Sequence, residues 1–267
     1  MKLNHFIRES IEDTLKPFFN MSQIKSVKET PDGLDIVGDI YSNSKRGTIS
    51  PMEEIPVKLA KVTGEIVLNH CNLKSCKNFP TIVDGTIDIS DNPSLTSLDG
   101  LENTIIKKTS NTNGKFIAKN IGITSLFGAP VLVENQIILS ANKHLESTRG
   151  LNPRSLGNKS FKIILQDCPK LRDIENLLQF NSHCTIKIDG TSKLLPLVKA
   201  ILINGKEGYP TIEYATYDAG LSNKLGIDAE TQKQTVDTIT SFSGKGFENI
   251  LKLLNHCDTI GLDLRLD

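Results

Sequence analysis

Long apolar runs are missing from this 267-residue chain, and none approaches the roughly 18 residues of a membrane-spanning helix. Net charge is missing too, because 31 acidic residues balance 31 basic ones. Without a long-range field the chain has little to draw in nucleic acid or an anionic membrane, so neither is expected as a partner. The amino-terminal residues lack a signal-peptide core and scatter charge through Lys2, Arg8, Glu9, Glu12 and Asp13. Cysteine is scarce and odd in number. Five residues without framework spacing fit reduced thiols better than a disulfide scaffold. The expectation is a soluble, cytoplasmic protein.

What the chain does have is a recurring set of apolar offsets. From Phe116 it is apolar at Ala118, Ile121, Ile123, Leu126 and Ala129, and from Ile66 at Leu68, Cys71, Leu73, Cys76 and Phe79. A form one residue longer runs from Ile87 through Ile89, Asn92, Leu95, Leu98 and Leu101. It returns from Ile137 with Leu139, Asn142, Leu145, Thr148 and Leu151, from Ile163 with Leu165, Cys168, Leu171, Ile174 and Leu177, and more loosely from Ile186. The starts lie 21, 29, 21, 26 and 23 residues apart, the self-similarity of a solenoid.

Each unit opens with an alternating triplet such as Ile87-Asp88-Ile89, which reads as a short strand with one side inward. Offset 5 carries Asn92, Asn142, Cys71 and Cys168, small side chains able to satisfy backbone groups at the turn after the strand. Pro80 and Pro130 disfavour long return helices, so extended or short 3₁₀ returns are expected. The Thr-, Asn- and Lys-rich stretch 102–113 reads as a solvated loop. Before the array, an apolar stripe over 2–19 predicts a helix, and Thr30-Pro31-Asp32-Gly33 predicts a hairpin turn. Gly38-Asp39-Ile40 resembles Gly64-Glu65-Ile66, the mark of a degraded first repeat. After the array, 192–204 predicts an apolar helix ended by Gly205, followed by a polar stretch to Gly226. Two capped helices over 228–242 and 243–255 and a strand over 260–266 complete the expectation. The organisation is thus a cap with a degenerate repeat over 1–61, a solenoid over 62–192, and an α/β cap over 193–267.

The segments Leu95-Thr96-Ser97-Leu98-Asp99-Gly100-Leu101 and Ile123-Thr124-Ser125-Leu126-Phe127-Gly128-Ala129-Pro130 resemble leucine-rich repeats. They are most similar to the short irregular repeats of uncharacterised proteins of large tailed bacteriophages. The resemblance covers about residues 62–190, with Thr148 departing from its pattern. It implies an α/β, leucine-rich-repeat-like solenoid with parallel strands and terminal α/β caps. It also implies a phage-encoded protein in the host cytoplasm, and carries no catalytic residues.

Chemistry-bearing groups are few. His70-Cys71, His183-Cys184 and His256-Cys257 could suit zinc or a nucleophile, but three of the cysteines fall on inward offsets and no ligand spacing recurs. Ser243-Gly244-Lys245-Gly246 lacks the full phosphate-binding loop. Asp88, Asp91, Asp167 and Asp189 read as a solvated face. No cofactor, metal or catalytic residue is expected.

The sharper pattern is on the outward side. Offset 1 reads Val67, Asp88, Ile117, Ile138, Ile164 and Lys187, whereas offset 3 reads Asn69, Ser90, Lys119, Ser140, Gln166 and Asp189. An apolar ridge beside a polar column marks a contact surface or a face covered by a terminal segment. Ile117, Ile138, Ile164, Lys119, Gln166, Asp88 and Lys187 are therefore the candidate partner-binding residues, for a protein partner. A virion structural or assembly component is the alternative function, and an enzyme in the carboxyl-terminal region a more distant one. The register itself is testable: Leu126→Ala should cost roughly 2–5 kcal/mol and Lys119→Ala less than about 0.5 kcal/mol. Equal losses in chemical denaturation would contradict it.

Overall fold

The computed structural model describes residues 11–42, 52–151, 160–189, 194–214 and 229–261. Contacts divide the chain into two compact units, Met1–Ile138 with Gly150–Lys159 and Leu139–Arg149 with Ser160–Asp267. The fold is an α/β repeat solenoid with parallel strands, about six turns in all.

In the first unit the alternating triplets become the strands β3 (Ile40–Tyr41), β5 (Ile66–Val67), β7 (Ile87–Asp88), β9 (Lys115–Ile117) and β11 (Gln136–Ile138). Each pairs with the next in parallel, setting Ile40, Ile66, Ile87, Phe116 and Ile137 in one inward row. All five are at most 1% exposed. Ile40 therefore starts a coil of its own, and Met52, Ile55, Leu59 and Val62 are buried with it, as expected of a degraded first repeat.

The return segments form a second sheet, of β1 (Ile24–Thr30), β2 (Gly33–Gly38), β4 (Leu59–Val62), β6 (Ile82–Val83), β8 (Ile105–Ile106) and β10 (Leu132–Val133), in that spatial order. The prolines explain why these returns are extended, since Pro80 and Pro130 are buried where a helix would need their amides. β1 and β2 are the predicted hairpin, antiparallel across Thr30 and Gly33. Leu15 and Phe19, from a helical turn at 11–15 and the residues after it, are buried, and Phe19 forms an antiparallel bridge with Ser42 just past β3. Leu3, Phe6 and Ile7 of the predicted helix lie outside the described residues.

Every described coil leaves its first-sheet strand in the same way. His70, Asp91, Asn120, Ala141 and Asp167 all occupy offset 4, and all have φ between 52° and 62°. Asn and Asp tolerate this left-handed conformation through local hydrogen bonding, and Ala141 is the costly member. The next residue closes the turn. Asn92, fully buried, accepts the amides of Cys71 (3.1 Å) and Leu73 (2.9 Å) and donates to the carbonyls of Leu68, Ile89 and Ser90 at 2.8–3.1 Å. In the second unit Asn142 donates to the Leu139 carbonyl at 2.7 Å, and the Cys168 thiol reaches the same oxygen at 3.3 Å. At the far corner Gly128 has φ 81°, and a Cβ there would lie 2.6 Å from the Asp99 amide nitrogen of the preceding coil.

The second unit pairs β12 (Phe161–Leu165), β13 (Cys184–Ile188) and β14 (Thr211–Tyr214) in parallel. Helix α1 (Leu194–Ile203) runs between β13 and β14 in sequence and ends before Gly205 at φ 81°. Its Val198, Ala200, Ile201, Leu202 and Ile203 are fully buried. Helices α2 (Ala229–Thr240) and α3 (Ile250–Thr259) follow.

Several expectations need correcting. The stretch 102–113 is not wholly a solvated loop: β8 belongs to the second sheet, Ile106 is buried, and the Thr104 hydroxyl donates to the Pro80 carbonyl at 2.8 Å. The polar stretch after Gly205 contains β14. Ser243 caps no helix; its hydroxyl donates to the Asn204 carbonyl at 3.0 Å, and a 3₁₀ turn at Phe247–Asn249 precedes α3. Asp228 lies outside the described residues, as does 262–267 of the predicted last strand. Ile260, its first residue, instead follows α3 and is 51% exposed.

Replacing Asn92 by alanine leaves at least two amides and a carbonyl buried without a partner, each costing about 1–3 kcal/mol. Asn92→Ala is therefore expected to lose at least about 3 kcal/mol in chemical denaturation, against under about 0.5 kcal/mol for Ser94→Ala. A loss below about 1 kcal/mol would show that the turn does not depend on this side chain.

Candidate functional site

In a pleated strand the residues flanking an inward one face the opposite side. Pairing the strands in register therefore produces outward rows. In the first unit this row is Tyr41, Val67, Asp88, Ile117 and Ile138, with Val67 opposite Asp88, Asp88 opposite Ile117, and Ile117 opposite Ile138. All five are partly exposed. Ile117 and Ile138, predicted as neighbours, are neighbours, and both are part-exposed.

The flanking positions carry the charge. On β9, Lys115 is part-exposed and Lys119, just past the strand, is exposed; neither makes an ion pair among the described residues. Earlier coils place Asp39 and Glu65 at the equivalent of Lys115, and burial, then these two carboxylates, push the Tyr41 phenol up. Asp88 accepts the Ser90 amide at 3.0 Å, and Ser90 in turn accepts the Lys119 amide at 3.2 Å. The face is acidic over β3, β5 and β7 and basic over β9.

The remaining predicted residues belong to the second unit. There Ile164 is registered opposite Lys187, and Lys187 opposite Glu213. A hydrogen bond from Lys162 at 2.8 Å, aided by the charge of Lys187, holds the Glu213 carboxyl below its ordinary range. Lys187 thus stands beside a carboxylate that Lys162 holds. Gln166 is part-exposed, and its carbonyl accepts the Ala141 amide at 2.8 Å. Asp189 is not part of a solvated face. It is 8% exposed, and its carboxylate accepts the Asp167 amide at 2.9 Å.

Sequence reasoning missed a second outward row. Register sets Lys61 opposite Ile82, Ile82 opposite Ile105, and Ile105 opposite Leu132, so three part-exposed apolar side chains stand side by side on the second sheet. Lys61 and Asp84 form an ion pair of 3.0 Å beside them. The recurring apolar dipeptides Ile82-Val83, Ile105-Ile106 and Leu132-Val133 were the available signal. At the corner of the same coil as β10, Phe127 is 62% exposed.

Among the described residues no group of three or more His, Cys, Asp or Glu is arranged to hold a metal ion, and no helix is long and apolar enough to cross a membrane. The five cysteines are free and buried. Cys184 is an inward residue of β13, which begins two residues ahead of Ile186, the start of the last repeat in the sequence. Comparison with protein families, curated proteins and solved structures found no match.

Burial pushes the Cys168 and Cys184 thiols up to about 12 and raises the other three. These thiols stay neutral in the fold while the unfolded chain ionises above the ordinary value of 9.0. Their contribution to stability is therefore full below about pH 9 and lost as the pH rises toward 12. Iodoacetamide at pH 8 should leave the folded protein unmodified and alkylate all five thiols after denaturation, as counted by mass spectrometry. A cysteine alkylated rapidly in the folded protein would contradict this placement.

Proposed function

We propose that this chain is a non-enzymatic protein-binding module, and that its contact surface is the outward face of β7, β9 and β11. The observation that carries the reading is the registered pair Ile117 and Ile138, part-exposed on strands whose backbone is locked into the sheet. Rigid elements hold contact residues at low entropic cost, and an apolar centre with a polar rim is the usual anatomy of a protein interface. Asp88 and Lys119 form that rim in the first unit, and Ile164, Gln166 and Lys187 present a related set in the second. The resemblance to short phage repeats makes a phage or host protein the expected partner, met in the host cytoplasm.

Ile138→Asp tests the reading, because it puts an unpaired charge in the centre of the contact. The free variant should stay within about 1 kcal/mol of wild type, since the side chain is part-exposed. Partner proteins captured by the wild type from infected-cell extract and identified by mass spectrometry should be lost, as central interface residues contribute about 2 kcal/mol or more. A native-like variant that captures every partner undiminished would remove this face from the function.

A further inference from the structure

The rim of the Ile117 and Ile138 pair is more specific than a generic polar border. Lys115, Ile117 and Lys119 alternate on one extended segment, so all three project from the same side of the sheet, a lysine on each flank of the ridge. Four residues at about 3.3 Å each separate the two lysines by roughly 13 Å along the strand, while the ridge runs across the strands. Neither ammonium has an ion-pair partner among the described residues. A chain of zero net charge has thus left two cations unneutralised on either side of an apolar pair.

We infer that the partner presents an amphipathic helix whose apolar stripe lies on Ile117 and Ile138 and whose flanking positions are carboxylates that pair with Lys115 and Lys119. This rests on the protein-binding reading of the same face and names the chemistry of its partner. A helix is about 10–12 Å across with its side chains, which matches the spacing of the lysines. The ridge then continues over Asp88, which repels carboxylates and so sets where along the face the acidic positions fall. Buried apolar contact supplies the affinity, and the lysines supply orientation, rate and discrimination.

The probe is a fluorescein-labelled helical peptide of about 18 residues, with leucine on one stripe and glutamate on both borders, followed by fluorescence anisotropy. Its counterparts replace every glutamate with glutamine or with lysine. Full-length protein should bind the glutamate peptide roughly tenfold or more tightly than the glutamine one, with the preference shrinking as salt rises. The double variant Lys115→Glu/Lys119→Glu should lose the glutamate peptide and gain the lysine peptide. That exchange also shows the variant to be folded. Equal binding of glutamate and glutamine peptides, or a double variant that keeps the glutamate peptide, overturns the inference. If Ile138→Asp loses the captured partner while the double variant keeps it, the face binds protein of a different chemistry; if Ile138→Asp keeps it, the binding surface lies elsewhere.

Discussion

Each coil is joined to the next by backbone hydrogen bonds, and these form only if every coil turns at the same distance from the start of its strand. A two- or three-residue strand has no stability of its own, so the stack depends on repetition of the turn. The repetition is enforced at two adjacent positions. Offset 4 enters the left-handed region in five coils, and in four of them offset 5 supplies a small side chain, Cys71, Asn92, Asn142 or Cys168, that bonds to the backbone of the turn. Asn92 does this most completely, bonding to both its own coil and the preceding one. With the turns aligned, Ile40, Ile66, Ile87, Phe116 and Ile137 fall into one buried row and the outward rows follow. Inward packing and outward display are two consequences of one register.

The inward ladder was legible because burial demands apolar side chains at fixed offsets, and fixed offsets can be counted. Offset 5 was legible for a similar reason: asparagine at an otherwise apolar position signals a backbone to be satisfied. The second sheet was not, because strands as short as Ile82–Val83 or Ile105–Ile106 hold too few residues to show alternation. Ile105–Ile106 was further disguised by the polar residues around it, although Thr104 is itself buried and bonded. Composition also misled at Ser243, a residue suited to capping whose hydroxyl satisfies a distant carbonyl instead. The same contrast holds for the surface. Ile117 beside Ile138 followed from the ladder, whereas the row of Ile82, Ile105 and Leu132 needed the register of strands that could not be seen. Asp189 escaped because an outward offset does not guarantee solvent.

A balanced net charge says little about a partner until the charges are assigned to faces. Here the outward face of the first sheet carries Asp39, Glu65 and Asp88 on one stretch and Lys115 and Lys119 on the next, so local fields persist although the sum is zero. Such fields act over roughly a Debye length, about 8 Å at physiological salt, which is the scale of one or two strand spacings. They select among partners at contact instead of steering them from afar. Within the second unit the pairing of Lys162 with Glu213, with Lys187 close by, spends equivalent charges internally.

The central claim is that Ile117 and Ile138 are direct neighbours on the outward side of a parallel sheet, and spin labelling measures it directly. Nitroxides attached at Ile117→Cys and Ile138→Cys stand on strands about 4.8 Å apart, whereas a pair at Val67→Cys and Ile138→Cys stands about 14 Å apart, three strands away. The five native thiols are buried and leave the introduced cysteines as the reactive sites. The account predicts strong dipolar broadening of the continuous-wave spectrum for the 117/138 pair and weak broadening for the 67/138 pair. Narrow spectra for 117/138, or equal broadening of the two pairs, would contradict it.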